Sequence, residues 1–244
     1  MTPYDLAYEY VMHTNRSIFL TGKAGTGKTT LLRKLRVECP KQMMVVAPTG
    51  VAAINAEGVT IHSLFQLPPQ LFLPTPIERK KLFAEMQMRR PKQRLLRNLE
   101  LLVIDEISMV RADLLDTIDA VLRRMRHRPN LPFGGVQMLF IGDLYQLSPV
   151  AREDDWNYLR PFYRGPYFFQ ANVFQEITPL YIELDHVFRQ THRQFIDLLN
   201  EVRNNHLSPA SLALLNSRYM PDWEPRKGEP FHIVLSTHNR KVDA

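Results

Sequence analysis

Cysteine is nearly missing from this chain: Cys39 is the single one among 244 residues. No internal disulfide can form, which excludes the disulfide-stapled secreted scaffolds and fits a reducing compartment. Long hydrophobic runs are missing too. None approaches the roughly 18 apolar residues of a membrane-spanning helix. The opening Met1-Thr2-Pro3-Tyr4-Asp5 sets no basic stretch ahead of an apolar one, as a secretory signal would. The expectation is an intracellular protein with no membrane partner. The eight histidines and Cys39 show no zinc-like spacing, nothing suggests a Ser-His-Asp hydrolase, and there is no internal repeat or low-complexity stretch. What is present is a globular composition, 45% hydrophobic and 23% charged, which excludes global disorder. Lys and Arg number 31 against 25 Asp and Glu, a formal charge of +6. That excess points to an anionic partner without naming it.

Apolar periodicity organises the chain. Residues 3–13 read as an amphipathic helix with Leu6, Ala7, Tyr10 and Val11 on one face. Strands are expected over 17–20, 43–47, 101–104, 137–141, 181–184 and 232–235, with a helix over 30–36 that Pro40 stops. Continuous apolar strands separated by helices predict an α/β fold, a parallel sheet covered on both faces. A helix over 111–128 carries Asp113, Asp116 and Asp119 early and Arg123, Arg124, Arg126 and Arg128 late. This order suits the helix dipole, and the basic end reads as solvated. Residues 66–98 differ in character. Pro68, Pro69, Pro74 and Pro76 break up their first part, and in 79–97 eight basic residues face only Glu85, a net +7. They read as a basic insertion, fit either for nucleic-acid contact or as a solvated face. Trp156, Tyr158, Phe162, Tyr163, Tyr167, Phe168 and Phe169 crowd a later stretch and are expected to serve mainly as packing.

The chemistry concentrates at three stations. Gly22-x4-Gly27-Lys28-Thr29 is a complete phosphate-binding loop between a strand and a helix. Glycines let backbone N–H groups converge on phosphates, and the helix start adds partial positive charge. Gly22, Ala24, Gly25, Thr26, Gly27, Lys28, Thr29 and Thr30 are the predicted nucleotide-binding residues, with Lys28 reaching the β and γ phosphates and Thr29 offering its hydroxyl to Mg²⁺. At the end of the third strand, Asp105 is expected to hold the Mg²⁺ shell and Glu106 to deprotonate the attacking water. Gln146 follows the fourth strand in a tight turn, where it is placed to sense the γ phosphate; an ordinary loop glutamine is the alternative. The carboxylate pair argues against a phosphate-loop kinase, whose nucleophile comes from a second substrate.

In these stations and the segments around them, the sequence resembles the Pif (petite integration frequency) helicases, RecD-like superfamily-one motors that move 5′ to 3′ on DNA. The likeness rests on Ala47-Pro48-Thr49-Gly50-Val51-Ala52-Ala53-Ile54-Asn55 with Thr60-Ile61-His62-Ser63-Leu64-Phe65, on Val103-Ile104-Asp105-Glu106-Ile107-Ser108-Met109, on Pro132-Phe133-Gly134-Gly135 leading to Gly142-Asp143-Leu144-Tyr145-Gln146, and on Val187-Phe188-Arg189-Gln190. The resemblance implies a RecA-like ATPase that uses ATP and Mg²⁺ and binds single-stranded or forked DNA, as a monomer, nucleoid-associated if bacterial. It makes Pro48, Thr49, Gly50, His62 and Phe65 candidate DNA contacts and Arg189 a charge-stabilising arginine. A core histidine and a core aromatic remain open for His62 and Phe65, and a surface ion pair for Arg189. Ser148 stands where the family usually has proline, and the adenine-reading glutamine often found ahead of the loop is not evident. Residues 1–65 and 99–230 would form the first motor domain, 66–98 an insertion placed as a wedge, and 231–244 the start of a second motor domain whose remainder is needed in cis. The expectation for this chain is nucleotide binding with weak turnover and no unwinding. An ATP-switched DNA-binding module without effective hydrolysis is the alternative.

Overall fold

Thr2 starts the first helix by local chemistry alone. Its hydroxyl accepts a hydrogen bond from the Asp5 N–H, the Asp5 carboxylate accepts from the Thr2 N–H at 3.0 Å, and Pro3 opens α1 (Pro3–His13). The computed structural model describes residues 1–186 and 193–221. The chain divides into two units, 1–191 and 192–244. The first continues through β1 (Ile18–Gly22), α2 (Lys28–Glu38), β2 (Met43–Ala47), α3 (Gly50–Asn55), β3 (Val59–Thr60), α4 (Ile61–Phe65), α5 (Pro76–Glu85), α6 (Arg90–Asn98), β4 (Leu101–Ile104), α7 (Ala112–Met125), β5 (Gln137–Ile141), α8 (Glu153–Leu159) and β6 (Leu180–Leu184). The second contains α9 (Arg193–Arg203) and α10 (Pro209–Asn216), where the Ser208 N–H donates to Glu201 at 2.8 Å and the Ser208 hydroxyl caps α10. The strand expected over 232–235 lies outside the described residues. No described helix is long and apolar enough to cross a membrane.

The six strands of the first unit are all parallel, in the order β3-β2-β4-β5-β1-β6. β4 and β5 lie in the middle and every residue of both is buried, which is why they read as continuous apolar runs. Their side chains still alternate. Leu102, Ile104, Met138 and Phe140 join one apolar cluster, and Leu101, Val103, Leu139 and Ile141 the other. α1 and α2 close the second cluster with Ala7, Val11, Leu31, Leu32 and Leu35. α4 and α7 close the first with Ile61, Leu64, Phe65, Leu115 and Ile118. The expected sheet with helices on both faces is the one the chain forms. β3, two residues long, is too short for a periodic pattern to reveal.

Residues 66–98 enter between α4 and β4. Leu82, Met88 and Leu96 belong to the same cluster as the sheet, so this segment is anchored in the main core. Of its basic residues Lys92 is half-buried, donating to the Ser63 carbonyl at 2.6 Å; the others are exposed. In the aromatic stretch, Tyr163 and Phe168 are buried, while Tyr167 and Phe169 stack in parallel at the surface with centroids 5.2 Å apart.

The helix dipole does not account for α7. Asp113, Asp116 and Asp119 are buried, three residues apart on one face, and each holds a different surface segment. Asp113 accepts from the Phe72 N–H at 3.1 Å. Asp116 accepts from the Tyr163 hydroxyl and from the N–H groups of Asn172 and Val173, with the Asn172 side chain adding a fourth bond. Asp119 accepts from the Phe133 N–H and from Arg123. The late arginines are not merely solvated either: Arg126 donates to the carbonyls of Gly134, Arg97 and Leu99. Buried carboxylates satisfied by backbone N–H groups replace apolar packing where loops cross the helix. We expect Asp116→Ala, which strands its donors, to lower the unfolding free energy by about 3 kcal/mol in a denaturant titration; an unchanged midpoint would contradict this role.

Candidate nucleotide and nucleic-acid sites

The loop between β1 and α2 is built by backbone constraints. Gly22 has φ +149°, and a Cβ there would lie 2.5 Å from the Leu184 carbonyl oxygen of β6 and 2.7 Å from the Thr26 hydroxyl. Only glycine fits where the loop passes that close to its neighbour strand. Gly27 caps α2 with φ 95°. The Thr26 hydroxyl donates to the Lys23 carbonyl at 2.9 Å. The Lys28 ammonium donates to the carbonyls of Gly22 and Lys23 at 2.6 and 2.9 Å, which pins its side chain over the loop. Ala24, Gly25, Gly27, Lys28, Thr29 and Thr30 line a cleft of about 440 Å³. Gly22 and Thr26 lie buried behind it and shape the loop.

Glu106 and Gln146 line the same cleft. Glu106 sits in the left-handed region, φ 52° and ψ 44°, an uncommon conformation for a side-chain-bearing residue. The turn it begins buries the Ser108 hydroxyl with no hydrogen-bond partner among the described residues. Burial pushes the Glu106 carboxyl above the usual range, the charges of Asp105 and Asp143 push it further, and Lys28 opposes them. Burial also raises Asp105, against the Glu106 N–H it accepts from at 3.0 Å and the charge of Lys28. Asp105 itself stands at the end of β4, half-buried.

Two residues here had no role assigned from the sequence. Asp143, fully buried, accepts from the Tyr145 N–H at 3.1 Å and from the Gln146 side-chain amide at 3.0 Å, and the Gln146 N–H donates to the Asp143 carbonyl. It is the group that orients the glutamine. An aspartate after a buried strand, free to bond its own backbone two residues on, was the available signal. Arg33 lines the cleft from α2, four residues after Thr29 and so on the same helix face.

A second cleft, of about 480 Å³, opens beside the end of β2. Its walls include Pro48, Thr49, His62, Met109, Arg111, Val150, Arg152 and Asp155. Thr49 caps α3, accepting from the Ala52 N–H, and Gly50 is exposed beside it with open space where a Cβ would be. His62 is half-buried, and burial, then the Arg111 charge, lowers its pKa, so its imidazole is neutral at neutral pH. Phe65 does not belong with these residues. It is wholly buried in the core with Ile61 and Leu64, on the inner face of α4, and offers no ring to a base. Arg189 lies outside the described residues.

A glycine-rich loop after β1, a carboxylate pair after β4 and a glutamine turn after β5, all at the C-terminal edge of one parallel sheet, define a RecA-like P-loop NTPase domain. The family follows from the whole chain: residues 2–211 match the model of the PIF1-like helicases, and the chain belongs to that family. It is 36% identical over 219 residues to the ATP-dependent DNA helicase PIF7 of Trypanosoma brucei brucei, covering 86% of this chain and 20% of that protein. It is 39% identical over 192 residues to human ATP-dependent DNA helicase PIF1, covering 77% and 27%. The Pif1 helicase from Bacteroides, solved in complex with ADP-AlF3 and ssDNA, superposes with a TM-score of 0.90 at 40% identity, over 100% of this chain and 55% of that one. The chain therefore spans about a quarter of those curated relatives and about half of the solved protein.

Replacing Lys28 by Ala removes the ammonium held over the loop; the expected result is an ATP affinity at least about tenfold weaker by fluorescent-nucleotide titration. Wild-type affinity in that variant would contradict the assignment of the loop.

Proposed function

We propose that this chain is the ATP-hydrolysing part of a monomeric DNA helicase that moves 5′ to 3′ on single-stranded DNA and acts on forked duplex. In this reading residues 1–65 and 99–230 are its first motor domain, 66–98 a basic insertion and 231–244 the start of a second. The observation that carries it is the meeting of Glu106 and Gln146 with the Lys28 loop in one cleft. A phosphate-binding loop alone serves many chemistries; a partly buried carboxylate facing it serves hydrolysis.

The triphosphate lies along the loop N–H groups, with Lys28 at the β and γ phosphates. Glu106 accepts the proton of the attacking water, and its raised pKa strengthens it as a base. Gln146, held by Asp143, donates to the γ phosphate or the water and loses that bond on cleavage. Mg²⁺ suits the donors at hand: the Thr29 hydroxyl and the Asp105 carboxylate are hard oxygens, and this ion takes one or two protein ligands beside phosphates and waters. When bound it neutralises charge on the β and γ phosphates. Arg189 completes the proposal as the charge-stabilising arginine, a role worth about 10³–10⁵ in rate. Pro48, Thr49, Gly50 and His62 form the DNA side, with Thr49 and nearby N–H groups on phosphates and neutral His62 on sugar or base.

Phosphate release measured with and without oligothymidine tests the reading. Single-stranded DNA should stimulate it, and Glu106→Gln should slow it by about 10²–10⁴ while nucleotide still binds. Turnover in Glu106→Gln equal to wild type would overturn the proposed base.

A further inference from the structure

The second cleft contains a loosely held charge pair, Arg111 and Asp155. Arg111 precedes α7 and gives two hydrogen bonds of 2.8 Å, from Nε and Nη2, to the buried Asp113. That fork fixes the guanidinium plane. Nη1 then points to Asp155 on α8 at 3.8 Å, too far for a hydrogen bond. The Asp155 side chain is 34% exposed and that of Arg111 18%, so water screens the contact and holds it weak. Among the described residues, Nη1 has an ionic neighbour but no acceptor at hydrogen-bonding distance. Arg152, which is exposed, and Thr49 line the same cleft and carry further donors.

We infer that Arg111 takes a backbone phosphate of single-stranded DNA in this cleft, and that Asp155 is an internal competitor which the phosphate displaces. The inference rests on the DNA-binding reading of Thr49 and His62. A phosphodiester brings two unesterified oxygens within reach of Nη1 and Arg152, which gives the shorter, charge-assisted bonds that Asp155 does not make. The exchange also has a consequence for the nucleotide side. Arg111 follows Glu106 on one connection, and Asp155 follows Gln146 on another, so the ion pair straps together the two segments that leave the ATP cleft. A phosphate that takes Arg111 releases that strap.

Anisotropy of a fluorescein-labelled oligothymidine, titrated with the 244-residue chain at several salt concentrations, tests this. Arg111→Gln should weaken binding about tenfold or more and make the slope of log affinity against log salt shallower by roughly 0.7. Asp155→Asn should tighten binding about two- to fivefold. Asp154→Asn, the same charge change at the neighbouring exposed position, should have a smaller effect. In the Arg111→Gln background the Asp155→Asn gain should vanish, as expected of directly coupled groups. Because a gain of affinity does not arise from misfolding, Asp155→Asn keeps the test sharp even if Arg111→Gln is poorly folded. Wild-type affinity in Arg111→Gln, or equal tightening by Asp155→Asn and Asp154→Asn, would overturn the inference while leaving the DNA-binding reading standing. No binding of oligothymidine by the wild-type chain would remove both.

Discussion

The parallel pairing of β1, β5 and β4 sets everything else. Phe19 is level with Phe140, and Phe140 with Ile104, so the three strands end side by side. What the chain places just past those ends must share one small volume: the phosphate loop after β1, Asp105 and Glu106 after β4, and Asp143 with its glutamine after β5. The backbone bonds continue this alignment one step beyond the apolar strands, with the Gly142 N–H donating to Leu20 and the Asp105 N–H to Val46. Because both faces of β4 and β5 are buried in close-packed clusters, sliding either strand by one residue would trade side chains of different shape between the two clusters, which close packing resists. The site inherits its precision from that core.

The same geometry accounts for two clefts on one edge. The connection after β4 leaves Glu106 in the nucleotide cleft and, within a single turn, delivers Met109 and Arg111 to the second cleft. The connection after β5 leaves Gln146 in the first and delivers Val150, Arg152 and Asp155 to the second. Neither connection is free to drift, since Arg111 is forked onto Asp113 and the Asp143 carboxylate anchors the glutamine turn. The two clefts are therefore joined by two short covalent connections. The left-handed Glu106 and the Ser108 hydroxyl, which has no hydrogen-bond partner among the described residues, both lie on the first of these connections.

Much of this was legible from sequence, for a physical reason. The strands of a parallel sheet announce themselves as apolar runs, and phosphate chemistry demands glycines and a lysine at fixed spacing, so the sheet, the loop, Glu106 and Gln146 could be placed from residue types alone. What could not be placed depends on which face a short helix turns inward. Phe65 and His62 stand three apart on α4, yet one is sealed in the core and the other opens on the cleft. Asp113, Asp116 and Asp119 looked like a helix dipole pattern because their partners are loop N–H groups far away in sequence, which no local signal predicts. Arg33 and Arg111 gain their meaning only from the clefts they line, which unite segments far apart in sequence.

The central claim is that nucleotide and single-stranded DNA are bound at one sheet edge and feel each other through those two connections. Binding linkage tests it directly: the affinity of the chain for a non-hydrolysable ATP analogue is measured with and without saturating oligothymidine, and the affinity for oligothymidine with and without the analogue. The account predicts that both affinities change, and by the same factor, as reciprocity requires. Two titrations that ignore each other, each ligand binding with a constant independent of the other, would contradict it.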